Sequence, residues 1–293
     1  MAKHNALVFG AVALVTLAAT GCGRTALTAP ATSAHNVSPA TVAIQGVARK
    51  FGFNIKRYET VIAKRAHITH LSRTAPLRGA VDLRSLCTPI ADQGQLGSCT
   101  AFAMGKGMRE MIANKNGEDK TPVSPMFLYY EERVLEDSID YDSGATMADG
   151  MQVLTDTGVA KEASCPYDIA HFTDKPSAAA YAEAGAMKIH DSTNISGLED
   201  TKTAVNNGQS VAIGFRVYDS FRKIGKDGMM PVPKPGEGVL GGHAVLVVGY
   251  DDAKKVLIVR NSWGAKWGDA GYFYMPYEVA GSAQVMDSWT ASK

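Results

Sequence analysis

The spacing of hydrophobic positions changes near the middle of the chain, and the change predicts helices first and strands afterwards. Helix signals end one stretch at Asn116-Gly117, cap a second with Ser124 and Pro125, and stop a third at Gly158. The later runs are rich in Val, Ile and aromatic residues, which is typical of strands: QSVAIGFRVY, GHAVLVVGYD, KVLIVRNSW and GYFYMPY. The pattern therefore predicts an α+β fold with a helical lobe at about 80–190 and a β lobe at about 191–293.

The first 21 residues have a different pattern. Lys3 and His4 precede an uncharged apolar run, which ends at Gly21-Cys22. The run is too short to span a bilayer comfortably, so it predicts a secretory signal peptide. Its ending, LAATGC, resembles a bacterial lipobox and implies acylation of Cys22, with a plain signal peptide cleaved nearby as the alternative. In both cases we expect an exported chain; a lipid anchor would hold it at a membrane, the outer one in a two-membrane cell.

Two further segments precede the patterned region. Residues 22–45 are rich in Ala, Thr, Ser and Pro, which predicts a flexible tether. Residues 46–79 form a basic extension in which Phe51, Ile55, Tyr58 and Ile62 have helical spacing. The extension is either a solvated spacer or a short pro-segment whose apolar helical face docks in the cleft between the lobes. We favour a pro-segment, and hence a chain that is processed and partly released.

Candidate chemistry begins at QGQLGSCTAFA, where Cys99 follows a glycine-rich turn at the predicted start of a helix. Backbone N–H groups and the helix dipole favour a thiolate there, and the thiolate is the form that attacks a carbonyl carbon. Taken alone, a cysteine such as Cys99 is more often a packed, unreactive core thiol. Composition does not decide between them: 45% hydrophobic residues indicate a packed core, and a formal net charge of +1 gives no indication of a nucleic-acid partner.

A predicted β-hairpin supplies two possible partners for this thiol. Directly paired residues of a hairpin have numbers with a constant sum, and a turn centred on DDAKK pairs His243 with Asn261. Opposed Cβ atoms lie roughly 4.5–5.5 Å apart, so the Asn261 amide reaches the imidazole. His243 would then take the Cys99 proton and Asn261 would orient the ring. Gln93 would donate its side-chain N–H2 to an oxyanion, together with the Cys99 backbone N–H.

Three motifs, QGQLGSCTAFA, GGHAVLVVGYD and NSWGAKWGDAGYFYM, resemble the papain family of cysteine peptidases in this order. The resemblance covers about Val81 to Tyr277. It implies a two-lobe fold, with a helical lobe, an antiparallel β-barrel-like lobe and the active site in the cleft between them. It also implies four roles: Cys99 as nucleophile, His243 as acid/base, Asn261 as orienting residue and Gln93 as oxyanion donor.

The resemblance extends to residues around these four. It implies that backbone groups of Gly144, Ala145 and Gly242 meet an extended substrate, and that Met147 lines a substrate pocket, unless Met147 is a helix core residue. Trp263 would cover the Asn261–His243 hydrogen bond from water and Trp267 would join the supporting aromatic cluster, with ordinary core packing as the alternative for both.

Several positions depart from the family pattern. Leu96 and Asp142 stand where members usually carry two bridged cysteines, Thr100 replaces a common tryptophan, and Gly242 replaces an Asn or Asp. Export permits disulfides, and parity leaves Cys87 and Cys165 either bridged or both unpaired.

We therefore expect an exported, monomeric cysteine endopeptidase acting on proteins or peptides, with no metal, organic cofactor or nucleic-acid partner. Two alternatives stay open at this point. One is a papain-fold binding protein with weak or lost catalysis, and the other is a cell-wall amidase or amide transferase.

Overall fold

The computed structural model describes residues 39–62, 68–73 and 75–292. Its α-helices are α1 (Ile55–Ile62), α2 (Cys99–Ala101), α3 (Glu110–Asn116), α4 (Pro125–Leu135), α5 (Met147–Asp156), α6 (Ala178–Ala184), α7 (Gly197–Asn206) and α8 (Tyr277–Ala280). Its strands are β1 (Thr41–Ile44), β2 (Val47–Lys50), β3 (Ala80–Asp82), β4 (Asp191–Asn194), β5 (Val211–Tyr218), β6 (Val239–Asp251), β7 (Val256–Arg260), β8 (Tyr272–Pro276) and β9 (Val285–Ser292). A π-helical stretch, Phe102–Arg109, joins α2 to α3 without a break.

The predicted helix boundaries are confirmed by their caps. Ser124 accepts a 2.9 Å hydrogen bond from the Phe127 N–H at the start of α4, where Pro125 takes the first turn. Gly117 follows α3 with a φ of 69°, a left-handed conformation that glycine adopts without strain. Local capping signals therefore place the start of α4 and the end of α3.

The strands of the C-terminal half form one antiparallel sheet in the order β4-β9-β5-β6-β7-β8, with β3 paired to β6. The α+β prediction is confirmed, but the sheet of the described residues is open rather than a closed barrel, since β4 and β8 are not paired with each other. One hydrophobic cluster lies among the helices and one face of the sheet, and a second lies in the β lobe.

The predicted hairpin exists as β6 and β7, but its register differs from the prediction. Leu246 pairs with Arg260 and Val247 with Val259, whereas Gly249 already pairs with Ile258. Val248 is therefore an extra residue, and its carbonyl accepts the Leu83 N–H at 2.8 Å instead. Direct pairing of His243 with Asn261 is thus wrong, because Asn261 follows the end of β7.

The N-terminal residues are more ordered than a tether would be. β1 and β2 form a hairpin around Gln45 and Gly46, whose φ values of 49° and 78° suit a tight turn between twisted strands. The predicted tether, which extends to residue 45, is therefore wrong for residues 41–45. The predicted amphipathic helix is confirmed as α1, but Phe51 precedes it.

The predicted signal peptide and Cys22 lie outside the described residues. No helix within 39–62, 68–73 or 75–292 is both long and apolar enough to span a bilayer.

Candidate active site

Cys99 lies at the first position of α2, after the turn that Gly94 and Gly97 provide, and its side chain is 0% exposed. Its Sγ accepts a hydrogen bond from the Ala244 N–H at 3.3 Å. Since Ala244 follows His243 on β6, this contact joins the helix that begins at Cys99 in one lobe to a strand inside the sheet of the other.

The predicted contact between His243 and Asn261 is present despite the different register. His243 Nε2 and Asn261 Oδ1 are 2.9 Å apart. The same Oδ1 accepts the Ser262 N–H at 2.8 Å, so this atom is the amide oxygen, and Nε2 must carry the proton. Nδ1 has no hydrogen-bond partner in the described part of the chain, and in a neutral ring it holds a free lone pair.

Trp263 stacks on the imidazole, with ring centroids 4.9 Å apart and an interplanar angle of 25°. It is nearly fully buried, and Trp267 packs edge-on against it at 5.1 Å. The aromatic side chains of this cluster are Phe51, Phe215, Phe221, Trp263, Trp267 and Phe273. Trp263 therefore lies against the imidazole, where the resemblance implies that it covers the His243–Asn261 hydrogen bond, and Trp267 lies in the aromatic cluster behind it.

Gln93 lies beside this site with its amide fully oriented. Its Oε1 accepts from the Ser262 hydroxyl at 2.6 Å, and its Nε2 donates to the Leu96 carbonyl at 2.9 Å and the Lys50 carbonyl at 3.3 Å. The side-chain N–H2 expected to face an oxyanion therefore faces a carbonyl of the N-terminal extension.

The N-terminal extension crosses the site in an extended conformation. The sequence instead predicts that the apolar face of its helix docks in the cleft. The Ala145 N–H donates to the Gly52 carbonyl at 2.8 Å, the Asn54 N–H donates to the Ala145 carbonyl at 2.9 Å, and the Phe53 N–H donates to the Gly242 carbonyl at 2.9 Å. Phe53 and Ala145 form a parallel bridge. We call residues 49–58 the cleft segment.

The backbone groups predicted to meet substrate are thus in use within the chain. A Cβ at Gly144 would lie 2.2 Å from the Gly52 carbonyl oxygen, and one at Gly242 would lie 2.3 Å from that of Phe53, so neither position has room for a side chain. Met147 is fully buried in the same hydrophobic cluster as Phe53. Met147 is therefore a core residue in this conformation, next to the segment that fills the cleft.

Charged side chains hold the cleft segment at three places. Arg49 pairs with Asp92, Lys50 Nζ lies 2.7 Å from Asp142, and Arg57 Nε lies 3.1 Å from Asp149 and 3.2 Å from Glu136. The basic character of the extension therefore matches carboxylates of the domain that it covers.

Burial sets the protonation of Cys99 and His243 in this conformation. It raises the pKa of the Cys99 thiol to about 12, and the N–H groups of Ala244, Gly52 and Thr100 offset only part of the effect. It lowers the pKa of His243 to about 4, against the hydrogen bond to Asn261, which raises it. The closed site therefore holds a neutral thiol and a neutral imidazole rather than an ion pair.

The bridge considered between Cys87 and Cys165 is wrong, because both thiols are free. Cys87 lies 3.6 Å from the Met111 sulfur, whereas Cys165 follows the helical lobe's Lys161–Ser164 turn and its carbonyl accepts from Ser124. The two thiols thus have different neighbours on different segments.

Sequence reasoning missed Glu132, which is fully buried against Thr100, the residue that follows Cys99. The Thr100 hydroxyl donates to it at 2.7 Å, and burial raises the pKa of its carboxyl well above the usual range. Thr100, noted as a departure from the family, was the available signal. Among the described residues no group of three His, Cys, Asp or Glu side chains is arranged to hold a metal ion.

Comparisons with known proteins agree with this geometry. The family described as papain family cysteine protease matches residues 77–292. An uncharacterized peptidase C1-like protein of Acanthamoeba polyphaga mimivirus is 39% identical over 228 residues, which cover 72% of this chain and 73% of that protein. The oryzain gamma chain of Oryza sativa subsp. japonica is 31% identical over 204 residues, 65% of this chain and 52% of that protein.

Among solved structures, xylellain, a cysteine protease from Xylella fastidiosa, superposes with a TM-score of 0.71 and 30% identity. The match covers 88% of this chain and 99% of that one. The chain is a cysteine-type peptidase and belongs to the papain family of cysteine proteases.

Proposed function

We propose that the chain is an exported endopeptidase that hydrolyses peptide bonds through a thioester on Cys99. The observation that carries the proposal is the 2.9 Å contact between His243 Nε2 and Asn261 Oδ1. It fixes the tautomer in which Nδ1 is a proton acceptor, in a residue whose neighbour Ala244 contacts the Cys99 sulfur.

The reaction needs no group beyond these residues and water. His243 Nδ1 takes the Cys99 proton, and the thiolate attacks the peptide carbonyl carbon. The imidazolium then protonates the leaving amine as the C–N bond breaks, which leaves a thioester. Water, deprotonated by His243, attacks the thioester carbonyl carbon. The tetrahedral intermediate then collapses, the C–S bond breaks, the acid leaves and the imidazolium returns its proton to the sulfur. Asn261 holds the ring throughout.

The oxyanion of both tetrahedral intermediates would lie at the Gln93 amide and the Cys99 backbone N–H. In the closed conformation the Gln93 amide donates to the Leu96 carbonyl and also to a carbonyl of the cleft segment, that of Lys50, at 3.3 Å. A peptide carbonyl thus fits in front of this amide, and the Ser262 hydroxyl holds its orientation.

The described conformation is a latent one on this proposal. The cleft segment pairs with Ala145 in the parallel direction, covers Cys99 and His243 completely, and keeps both in the neutral form. Activity therefore requires that residues 49–58 leave the cleft, by opening or by processing.

The segment also indicates how a substrate would bind. The cleft segment continues past Cys99 in both directions, into β2 at one end and into α1 at the other. This suits an endopeptidase, whose substrate extends on both sides of the scissile bond. The Phe53 ring packs against Gly214 and Gly242. A Cβ at Gly214 would lie 2.6 Å from this ring, so the two glycines leave room for an aromatic side chain. We expect bulky aromatic residues in this pocket.

Export and anchoring rest on the sequence alone. Replacing Cys22 with Ser, fractionating the cells, and sequencing the N-terminus of the active species test them together. A membrane-bound form that retains residues 49–78 and is fully active would contradict release.

The catalytic proposal is tested with the full chain under reducing conditions. Casein hydrolysis and labelling by an epoxysuccinyl peptide should both occur and should both be absent in Cys99→Ala. Equal casein hydrolysis by that variant, or hydrolysis of peptidoglycan in place of casein, would overturn the assignment.

A further inference from the structure

Asp142 is a buried carboxylate that the catalytic mechanism does not use. It is 5% exposed, and its Oδ1 accepts the Gly97 N–H at 3.0 Å and the Tyr129 hydroxyl. Its Oδ2 lies 3.2 Å from the same N–H and 2.7 Å from Lys50 Nζ. The Asp142 carboxylate therefore accepts hydrogen bonds from three separate segments, those of Gly97, Tyr129 and Lys50.

Two of these segments form the walls of the catalytic cleft. Gly97 lies two residues before Cys99, in the turn that enters the nucleophile helix. Tyr129, fully buried on α4, donates to Asp142 and accepts the Gly144 N–H at 3.0 Å. Asp142 and Tyr129 therefore connect the turn before Cys99 to the Gly144–Ala145 backbone.

This connection stands where the sequence lacks a covalent one. Leu96 and Asp142 occupy the positions at which family members usually carry bridged cysteines, and the two cysteines described besides Cys99, Cys87 and Cys165, are free. Hydrogen bonds that the buried Asp142 carboxylate accepts connect the two segments here. Two of the three donors, the Gly97 N–H and the Tyr129 hydroxyl, belong to the domain and not to the cleft segment, and Arg133 lies over the Tyr129 ring at 4.5 Å.

We infer that Asp142 and Tyr129 are positioning residues that set the distance between the Cys99 sulfur and the backbone of Ala145. The inference rests on the proposed function, in which Ala145 pairs with the substrate backbone. Loss of the link would displace the bound peptide relative to the nucleophile and leave the nucleophile itself intact.

The test is Tyr129→Phe, with Tyr181→Phe as the matched control. The Tyr181 hydroxyl also donates to a carboxylate of α4, that of Glu131 at 2.5 Å, but it lies away from the cleft. Neither change removes a contact of the cleft segment. For each full-length variant, kcat/KM for a peptide substrate is divided by the rate at which iodoacetamide alkylates Cys99, which cancels any change in the fraction of open chain.

We expect this ratio to fall about 5- to 100-fold in Tyr129→Phe, mainly through KM, because Gly144 and Asp142 each lose a partner. Tyr181→Phe should stay within twofold of the parent. Equal ratios in both variants, or a peptide rate and an alkylation rate that fall together, would overturn the inference.

If Tyr129→Phe does not fold, the comparison moves to the carboxylates in a Lys50→Ala background. Asp142→Asn is then set against Glu110→Gln, a buried carboxylate that likewise accepts a backbone N–H, a hydroxyl and a lysine. The same two outcomes decide. A parent chain whose Cys99 alkylates but which cleaves no peptide refutes the proposed function, and this inference with it.

Discussion

Phe53 offers the most direct test of a closed cleft. It is 3% exposed and packs against Gly214, Gly242 and the Tyr58 ring, whose centroid lies 5.6 Å away. Burial of a phenylalanine side chain contributes roughly 1.5–3 kcal/mol. Phe53→Ala should therefore raise the fraction of open chain about 10- to 100-fold, since about 1.4 kcal/mol corresponds to a factor of ten.

The assay is the rate at which iodoacetamide alkylates Cys99 in the full-length chain, followed by mass spectrometry of the peptide that contains it. Peptide resolution is needed because Cys87 and Cys165 are also free and only half-buried. Where opening is faster than alkylation, the rate is proportional to the open fraction. Val47→Ala, at a position of the same extension that is 49% exposed, should leave the rate unchanged. An unchanged rate in folded Phe53→Ala would refute closure by this segment.

Three further predictions concern the same site. Asn261→Ala should keep measurable peptidase activity, whereas His243→Ala should lose nearly all of it, because Asn261 orients the ring and does not exchange a proton; equal loss in two folded variants, measured as kcat/KM, would contradict this. The contribution of His243 to closure should weaken as the pH falls: burial lowers its pKa to about 4 from 6.5, so the contribution is complete above pH 6.5 and is lost towards pH 4. Exchange of the Phe53 and Asn54 amide hydrogens, corrected for intrinsic rate, should then accelerate by up to about tenfold per pH unit relative to His243→Ala, which retains the other titrating groups, Glu136 among them. A ratio to that variant that stays constant across the range would be the contrary result. Gly214→Ala should both speed Cys99 alkylation and reduce cleavage of library peptides that carry an aromatic rather than a small side chain near the scissile bond, since the added Cβ would lie 2.6 Å from the Phe53 ring; an unaltered preference would argue that this pocket does not bind substrate.

The parts of the site that the sequence predicted are those with strong local signals. A glycine-rich turn before a helix places Cys99, and two apolar runs around a polar turn place His243 and Asn261 near each other. The register failed because it depends on Val248, which is left out of the β6–β7 pairing while its carbonyl accepts from Leu83. The hairpin sequence alone cannot predict this hydrogen bond, since Leu83 lies more than 150 residues earlier in the sequence.

The cleft segment was anticipated in kind but not in detail. Its helical spacing correctly predicts α1, and the apolar positions then suggest that the helix face blocks the site. In the structure the extended residues before the helix do so, because backbone N–H and C=O groups at Ala145 and Gly242 accept an extended chain. Such pairing depends on main-chain atoms, which every sequence shares, so side-chain patterns carry little information about it.

The complete burial of Cys99 also has a consequence for its redox chemistry. Peroxides and disulfides react with a thiolate that they can reach, and the closed chain presents neither a thiolate nor an exposed sulfur. A chain stored in this conformation under oxidising conditions would keep its nucleophile as a thiol, and irreversible oxidation to the sulfinic acid would begin only once residues 49–58 had left. On the proposed function, the segment that keeps the chain latent would thus also preserve the sulfur on which its activity depends.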